Sequence, residues 1–366
     1  MPKEKFVEAR RQTSDKLEVM ASYWATWAKI LANAKNLPFC ATHIWMIDAF
    51  AGNGLHMSST DPDGIVRGTA VQAALAAKVV QEQMPGCSVH VRAIEKQRRP
   101  ARELKAALTP YVTAGVDATV TPDDWVNVAP QILKEISRTD HPHGGLPIPG
   151  RGHQHRSLWL LDPYGLSELD REVLESLPYG SEVVINLDMA GLAREVGKVN
   201  AGDMDAEFRL NKLFGGNAWR GVPNGKLDRA YAETFERNFK DCKAYPLRQS
   251  GSQRRSLIHL TNSPKAVPVF AKAHKVATVL NTLIAGSSLS IQQKDIAAKE
   301  LYELFKGQTV TTRDMRSVSG RFDLVQLRSI CAAADVARYG RWSSKTLTME
   351  WFASRAPEPP PPTLGL

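Results

Sequence analysis

The chain has 366 residues, of which 43% are hydrophobic and 23% charged, so it has ample material for a packed core and is not an extensively disordered protein. No window approaches the roughly 18 consecutive apolar residues of a membrane span, and no apolar segment follows the charged N-terminus, so we expect a protein that neither spans a membrane nor is secreted. The formal net charge of +9 makes nucleic acid a natural partner, because each phosphate that Lys or Arg neutralises releases counterions; a merely basic surface is the alternative.

The first predicted element is an amphipathic helix over residues 16–37, within an N-terminal helical segment of residues 1–40. Its large apolar side chains recur at helical spacing: Leu17, Met20, Tyr23, Trp24, Trp27, Ile30 and Leu31. We therefore expect this face to pack against the core of the fold.

Residues 41–264 alternate short apolar strands with helices. Strands are predicted at 43–50, 88–96, near 117–125, at 157–165, 181–189 and 254–263. Such alternation is typical of a Rossmann-like, doubly wound, mostly parallel sheet. Ligands of these sheets bind beyond the carboxyl ends of the strands, where we find Asp48, Glu95, Asp162 and Asn186.

The remaining segments are predicted from composition. A helical insertion is expected around residues 200–250, and the Gly-, Pro- and His-rich stretch 141–155 is expected to form an exposed loop. Residues 265–350 form a mainly helical C-terminal region, which has the element order of a winged helix-turn-helix; a helical cap or a partner-binding surface fits as well. Residues 351–366 form a Pro-rich tail, and positions 265–366 together carry 14 Lys and Arg against 8 Asp and Glu.

A glycine-bearing loop follows the first strand. The run Asp48-Ala-Phe50-Ala51-Gly52-Asn-Gly54 resembles the first motif of class I S-adenosylmethionine-dependent methyltransferases. Its glycines let the backbone approach a ligand closely, and a carboxylate near the loop can accept from the methionine amino group. A nicotinamide site would need G-x-G-x-x-G, and the third glycine is missing. These five numbered residues are the predicted cofactor loop; a tight strand-to-loop turn is the alternative.

Two further acidic positions complete the predicted cofactor site. Glu95 ends the second strand, where the resemblance places the acid that holds the ribose hydroxyls, and an insertion over about residues 56–68 accounts for its long distance from the first motif. Asp123 and Asp124 end the third strand, where an acid can bond the adenine amino group. A solvated surface acid at Glu95 and a helix N-cap at the aspartates are the alternatives.

The turn Asp162-Pro163-Tyr164-Gly165 resembles the [D/N/S]-P-P-[Y/F] motif of amino-group methyltransferases, although one proline is absent and a glycine follows the aromatic residue. The resemblance implies that Asp162 and the Pro163 carbonyl accept from an exocyclic amine while Tyr164 stacks on the base, as when a flipped or single-stranded base is held. These three are the predicted catalytic residues. A plain D-P-x-G turn is the alternative.

Several segments together resemble the three-Cys-motif partner proteins, TcmP, over about residues 20–260: DAFAGNG, GIVRGTAVQAAL, VRAIEK, WLLDPYGL, EVVINLDMAGLAR and KLFGGNAW. The family's G-x-x-x-G-[ST] segment falls on Gly64, Gly68 and Thr69, and its L-I-N pattern with a following arginine falls on Ile185, Asn186 and Arg194. The resemblance implies a class I methyltransferase-like fold and a three-Cys-motif partner, a phage-type protein that looks like a radical S-adenosylmethionine enzyme. The match is weak over residues 141–156 and in the C-terminal hundred residues.

Basic residues supply the rest of the predicted substrate site. Arg254 and Arg255 could grip phosphates, and with Asn186 and Arg194 they form the predicted substrate-binding set. A solvated charge run is the alternative.

No metal site is predicted. Four histidines cluster in the loop 141–155, yet no carboxylate or cysteine completes a ligand set: His141, His143, His153 and His155. The cysteines stand far apart, which fits no disulfide framework and makes a reducing cytoplasm the expected location: Cys40, Cys87, Cys242 and Cys331.

These patterns predict an S-adenosylmethionine-dependent methyltransferase that acts on an exocyclic amino group of a nucleobase in DNA or RNA and works with a three-Cys-motif partner. The alternative is a non-catalytic Rossmann-fold scaffold that binds the three-Cys protein and nucleic acid. A third possibility, methylation of a small-molecule or protein amine, would leave the basic C-terminal region unexplained. Phage or mobile-element association follows from the resemblance alone.

Overall fold

The computed structural model describes residues 11–33, 43–57, 65–84, 86–140, 155–247, 254–283, 291–312, 314–315, 327, 330–331, 334, 339–343 and 347–352. The chain falls into two compact units. Unit 1 comprises Met1–Thr60 and Gly64–His274, and unit 2 comprises Asp61–Asp63 and Lys275–Leu366. The predicted loop at 141–154 and the Pro-rich tail beyond residue 352 lie outside the described residues.

Unit 1 is built from strands and helices in alternation. Its strands are β1 (His43–Asp48), β2 (Leu55–Met57), β3 (Ile65–Arg67), β4 (Ser88–Ile94), β5 (Asp117–Thr121), β6 (His155–Leu161), β7 (Ser181–Asp188), β8 (Asp241–Pro246) and β9 (Arg255–Thr261). The helices are α1 (Arg11–Asn33), α2 (Thr69–Gln83), α3 (Arg98–Thr113), α4 (Trp125–Asp140), α5 (Arg171–Glu175), α6 (Met189–Asn200), α7 (Met204–Phe214) and α8 (Leu227–Glu233). Helix α9 (Ala266–Leu283) begins in unit 1, and two 3₁₀ turns lie at Leu166–Glu168 and Asn224–Lys226.

Seven strands form the central sheet in the order β5-β4-β1-β6-β7-β9-β8. The first five of these are parallel to one another, whereas β9 runs antiparallel to both β7 and β8. The strand order steps outward in both directions from β1 and β6, as in a doubly wound sheet. The predicted Rossmann-like, mostly parallel sheet is confirmed.

The central strands are apolar on both faces because helices cover both sides of the sheet. Ile44 to Ile47 of β1 and Leu158 to Leu161 of β6 are each at most 2% exposed. Such strands are recognisable from their apolar runs, which is why the sequence located them.

One strand lies where the sequence predicts helix. The predicted helical insertion around residues 200–250 is helical in α7 and α8, but helix α8 ends at Glu233 and residues 241–246 form β8. This strand is at the sheet edge and its burial alternates only weakly, so the tertiary pairing with β9, from Asp241↔Thr261 to Pro246↔Ser256, decides its conformation.

Helix α1 is fixed to the sheet by one buried carboxylate. Glu182 of β7 accepts hydrogen bonds from the Tyr23 hydroxyl at 2.6 Å and from Trp27 Nε1 at 2.8 Å, and His259 Nε2 lies 3.2 Å away. Burial, followed by the charge of Glu182, raises the pKa of Tyr23 well above its usual value. The aromatic residues of α1 therefore belong to the core, as expected, and they fix the position of Lys16 two turns earlier. The same expectation is wrong for Ile30, which is 48% exposed near the end of the helix.

Unit 2 contains α10 (Ile291–Phe305), β10 (Thr309–Thr311), β11 (Gly340–Ser343) and β12 (Thr348–Trp351). The strands form an antiparallel sheet in the order β10-β12-β11. Its core includes Leu301, Met315, Ile330 and Trp351. The winged helix-turn-helix stays a prediction.

Within the described residues, no helix is both long enough and apolar enough to cross a membrane.

Candidate active site

The loop after β1 has the backbone that its glycines predict. Gly52 and Gly54 adopt positive φ angles of 60° and 79°, and the Gly52 amide donates to Glu95 Oε2 at 2.9 Å. A Cβ on Gly54 would stand 2.5 Å from Leu104 Cδ1, whereas one on Gly52 would meet nothing within 4 Å. Gly54 is therefore required for both conformation and packing.

The start of α2 closes onto this loop. The Gly68 amide donates to the Gly54 carbonyl at 2.7 Å, and the Thr69 hydroxyl donates to Asp48. Gly68 and Thr69 thus connect the helix to the loop, which gives a structural reason for these two residues of the G-x-x-x-G-[ST] segment. Gly64, its first residue, lies outside the described residues. The described ends of the predicted insertion, β2 and β3, pair antiparallel.

Replacing Gly54 with alanine should destabilise the protein more than replacing Gly52. A left-handed non-glycine residue costs about 1–2 kcal/mol. The contact with Leu104 adds an overpacking cost of about 1–3 kcal/mol for Gly54→Ala alone. Urea unfolding of both variants measures the difference, and equal losses would contradict this account of Gly54.

A cleft opens at the carboxyl ends of β1, β4, β5 and β6. Its empty volume, counted with the open mouth, is ≈ 400 Å³, and we call it the edge cleft; its lining residues are Ala49, Phe50, Glu95, Lys96, Gln97, Asp123, Asp124, Trp125, Tyr164 and Glu168. Four predicted site residues, which follow β4, β5 and β6, meet in the lining of this cleft: Glu95, Asp123, Asp124 and Tyr164.

Glu95 is 2% exposed, so the surface-acid alternative is wrong. Its Oε1 accepts from the Gln97 amide at 2.8 Å while Oε2 accepts from Gly52. A carboxylate has about four acceptor positions, so Glu95 keeps capacity for a ligand.

Asp123 and Asp124 start α4 and stand at the far end of the edge cleft. Asp124 Oδ1 accepts from the Val126 amide at 3.3 Å, and its Oδ2 pairs with Lys96 at 2.8 Å, so the N-cap alternative describes this residue's local role. Asp123 accepts from the Asp124 amide and from Asn127 Nδ2, and these bonds lower its pKa. Both carboxylates remain in the cleft lining.

The three predicted catalytic residues lie in different environments. Tyr164 is 69% exposed and lines the edge cleft, and its amide donates to Glu168 Oε2 at 2.7 Å. Pro163 is buried. The exposed aromatic ring of Tyr164 is thus available to a ligand.

Asp162 belongs to a polar group that we call the acceptor cluster, defined as Lys16, Asp162, Asn186 and Arg255. Lys16 Nζ donates to Asp162 Oδ2, and Asn186 Nδ2 donates to Asp162 Oδ1 at 2.6 Å. Burial raises the pKa of Asp162, but the charge and hydrogen bond of Lys16, the bond from Asn186 and the charge of Arg255 outweigh it, so the pKa lies below the usual value. Asp162 is therefore ionised and held from two sides.

Asp48 lies between this cluster and the loop. It is 1% exposed and accepts from the Thr69 hydroxyl and, at 3.3 Å, from the Phe50 amide. Burial raises its pKa to about 6 although Thr69, Lys16 and Phe50 oppose the shift. Asp48 thus holds the loop through the Phe50 amide and does not line the edge cleft.

Sequence reasoning missed two residues of this region. The sequence places Lys16 in a core-packing helix and His56 in the insertion, and neither position carries a recognisable site motif. Burial and the charge of Lys16 lower the pKa of His56 to about 4, while Asp162 acts in the opposite direction. His56 is therefore a neutral imidazole at neutral pH.

The four predicted substrate-binding residues separate into two groups. Asn186 and Arg255 stand beside Asp162. The other two are surface residues: Arg194 has a 70% exposed side chain paired with Asp188 at 3.7 Å, and the Arg254 side chain is exposed.

For metals, no group of three or more His, Cys, Asp or Glu residues suited to an ion occurs in the part of the chain that the structure describes. His141, His143 and His153 lie outside that part. The structure describes the backbone of His155 in β6 but not its side chain.

No protein-family model and no curated protein matches the chain. Among solved structures, it is similar to precorrin-6y C5,15-methyltransferase from Geobacter metallireducens GS-15, with 11% identity over 64% of this chain and 87% of that chain and a TM-score of 0.25. It is also similar to a geranyl diphosphate methyltransferase in complex with GPP and sinefungin, with 12% identity over 65% and 78% of the two chains and a TM-score of 0.25. Scores this low carry no argument, so the fold assignment rests on the strand order of the sheet.

Proposed function

We propose that this protein is an S-adenosylmethionine-dependent methyltransferase. The observation that carries the proposal is the edge cleft, whose lining brings together Glu95, Asp123 and Tyr164 from three strand ends beside Ala49 and Phe50 of the loop after β1. Ligands of doubly wound sheets bind at this edge. The seven-stranded sheet with its antiparallel β9 is consistent with a class I methyltransferase fold.

The residues fit the cofactor part by part. Glu95 retains acceptor positions for ribose hydroxyls, and Asp123 or Asp124 can accept from the adenine amino group. Gly52, with open space above its Cα, lets the ligand approach the backbone. S-adenosylmethionine supplies an electrophilic methyl group when bound.

The proposed acceptor is an exocyclic amino group of a nucleobase in DNA or RNA. Asp162 is ionised and still has acceptor positions, so it can take a hydrogen bond from the amine and orient its lone pair. The exposed ring of Tyr164 can stack on the base. Positioning of the two reactants would supply much of the rate, because such a transfer needs no covalent enzyme intermediate.

Calorimetric titration with S-adenosylhomocysteine tests the cofactor site. We expect saturable binding to the full chain and a roughly 10- to 100-fold loss of affinity in Glu95→Gln, since a charge-assisted hydrogen bond contributes about 1.5–3 kcal/mol. Glu82→Gln, on the exposed face of α2, is the matched control and should bind normally. No binding to the folded wild-type protein would refute the proposal.

One observation favours a second candidate, a scaffold subunit for a three-Cys-motif protein and nucleic acid. Both oxygens of Asp162 already have partners inside the protein, so the acceptor site is partly filled by Lys16 and Asn186. A scaffold should copurify stoichiometrically with a co-expressed three-Cys-motif protein while binding no S-adenosylhomocysteine. An active subunit of the same complex should do both.

A further inference from the structure

Two buried polar atoms of the acceptor cluster have no hydrogen-bond partner among the residues that the structure describes. They are Asn186 Oδ1 and Arg255 Nη1, and the Asn186 residue is 7% exposed. Buried polar atoms are nearly always paired in native proteins, because losing water without a replacement costs free energy. A ligand would supply the missing partners.

The register of the sheet puts both side chains on one face. In the antiparallel β7–β9 pair, Asn186 is opposite Leu257 and Asp188 is opposite Arg255, so Asn186 and Arg255 are diagonal neighbours. Diagonal neighbours lie about 7–8 Å apart, within reach of one planar ligand and of a long arginine side chain. Asp162 follows directly after Leu161, which pairs with Ile185, so it stands beside Asn186 at the same sheet edge.

The hydrogen bonds of Asp162 determine which side-chain atom of Asn186 is left without a partner. The Asn186 amide nitrogen donates to Asp162 Oδ1, and Lys16 holds the other carboxylate oxygen. A carboxylate only accepts, so the amide nitrogen must face it and Oδ1 must face away. The cluster therefore contains one unpaired acceptor, Asn186 Oδ1, and one unpaired donor, Arg255 Nη1, on the same face of the sheet.

We propose that Asn186 Oδ1 and Arg255 Nη1 recognise the amino-bearing edge of a nucleobase, in which an exocyclic N–H lies next to a ring nitrogen. The N–H donates to Asn186 and the ring nitrogen accepts from Arg255. Adenine and cytosine carry such an edge. Uracil and hypoxanthine have a carbonyl oxygen in place of the amine, so this oxygen would face Asn186 Oδ1 and two acceptors would oppose each other. Sites built for such hydrogen bonds strongly reject the mismatched analogue. This inference rests on the proposed function and names its substrate edge.

Fluorescence anisotropy with single-stranded 12-nucleotide DNA, in the presence of S-adenosylhomocysteine, tests the inference. Oligo(dC) is compared with oligo(dU), and oligo(dA) with oligo(dI), because each pair differs at the recognised edge. We expect tenfold or greater preference for the amino-bearing member in at least one pair. Arg255→Met and Asn186→Leu should reduce that preference below threefold.

The neighbouring Arg254→Met is the charge-matched control, because its side chain is exposed. It should weaken both members of a pair equally through lost phosphate attraction and leave their ratio unchanged. Equal wild-type affinities within both pairs, or a preference that survives both cluster variants, would overturn the inference while S-adenosylhomocysteine binding persists. Loss of S-adenosylhomocysteine binding by the wild-type protein would instead refute the proposed function.

Discussion

Lys16→Met should lower the free energy of unfolding at pH 7 by about 3 kcal/mol, the lower part of the range for breaking a buried ion pair from one side. The lysine side chain is 8% exposed and that of Asp162 is 25% exposed, so the remaining carboxylate would be an incompletely compensated charge. The Asn186 bond and the charge of Arg255 persist, which keeps the loss below that of an isolated charge. Urea unfolding at pH 7 measures it.

The pH dependence of the loss identifies its cause. Without Lys16, the pKa of Asp162 should rise, because the charge and the hydrogen bond of Lys16 are the largest influences that lower it. The variant would then gain stability relative to the wild type as the pH falls and Asp162 takes up a proton. We therefore expect a smaller difference between variant and wild type at pH 4 than at pH 7.

Two further variants separate the ion pair from a general effect of losing a lysine. The double variant Lys16→Met/Asp162→Asn should recover most of the stability, since it leaves no unpaired charge. Lys78→Met removes an exposed lysine whose side chain is 41% exposed and pairs with Glu82 at 3.8 Å. It should cost less than about 0.5 kcal/mol. A Lys16→Met loss no larger than that of Lys78→Met would refute the buried pair.

The sheet was predictable because its strands are short apolar runs followed by polar turns. Residues 43–48 and 181–188 are such runs, and both are strands at the centre of the sheet. β8 escaped prediction because an edge strand needs only a weak alternation once β9 pairs with it. The glycine loop was predictable because its conformation favours glycine. Gly54 has a positive φ, and a Cβ at this position would collide with Leu104.

The sequence predicted individual residues of the edge cleft but not the cleft itself. Glu95, Asp123 and Tyr164 each follow a strand, and parallel strands bring their carboxyl ends to one edge. Lys16 is different, because it reaches Asp162 across 146 positions of sequence. One signal was present: Lys16 stands four residues before Met20 and seven before Tyr23, in line with the buried stripe of α1.

Asp48→Asn should stabilise the protein at pH 7 by up to about 3 kcal/mol, since each pKa unit corresponds to about 1.4 kcal/mol. Burial raises the folded-state pKa of Asp48 from 3.8 to about 6, so the folded protein binds more protons than the unfolded chain between about pH 4 and 6. Its contribution to stability therefore falls as the pH rises through this window, and at pH 7 the ionised carboxylate costs free energy. The asparagine oxygen can still accept from the Phe50 amide, and the Thr69 hydroxyl can turn to accept from the new amide nitrogen.

The same substitution at Asp117 should have the opposite sign. Its hydrogen bond with His90 lowers the pKa of Asp117 to about 2 against the effect of burial, with Arg92 acting in the same direction as His90. The ionised form therefore stabilises the fold above the unfolded pKa, and Asp117→Asn should lose stability at pH 7. Thermal or urea unfolding of both variants between pH 4 and 7 tests the two predictions. The stability of Asp48→Asn relative to the wild type should increase as the pH rises through 6. A flat or falling difference would show that Asp48 ionises in the fold without the cost that its burial implies.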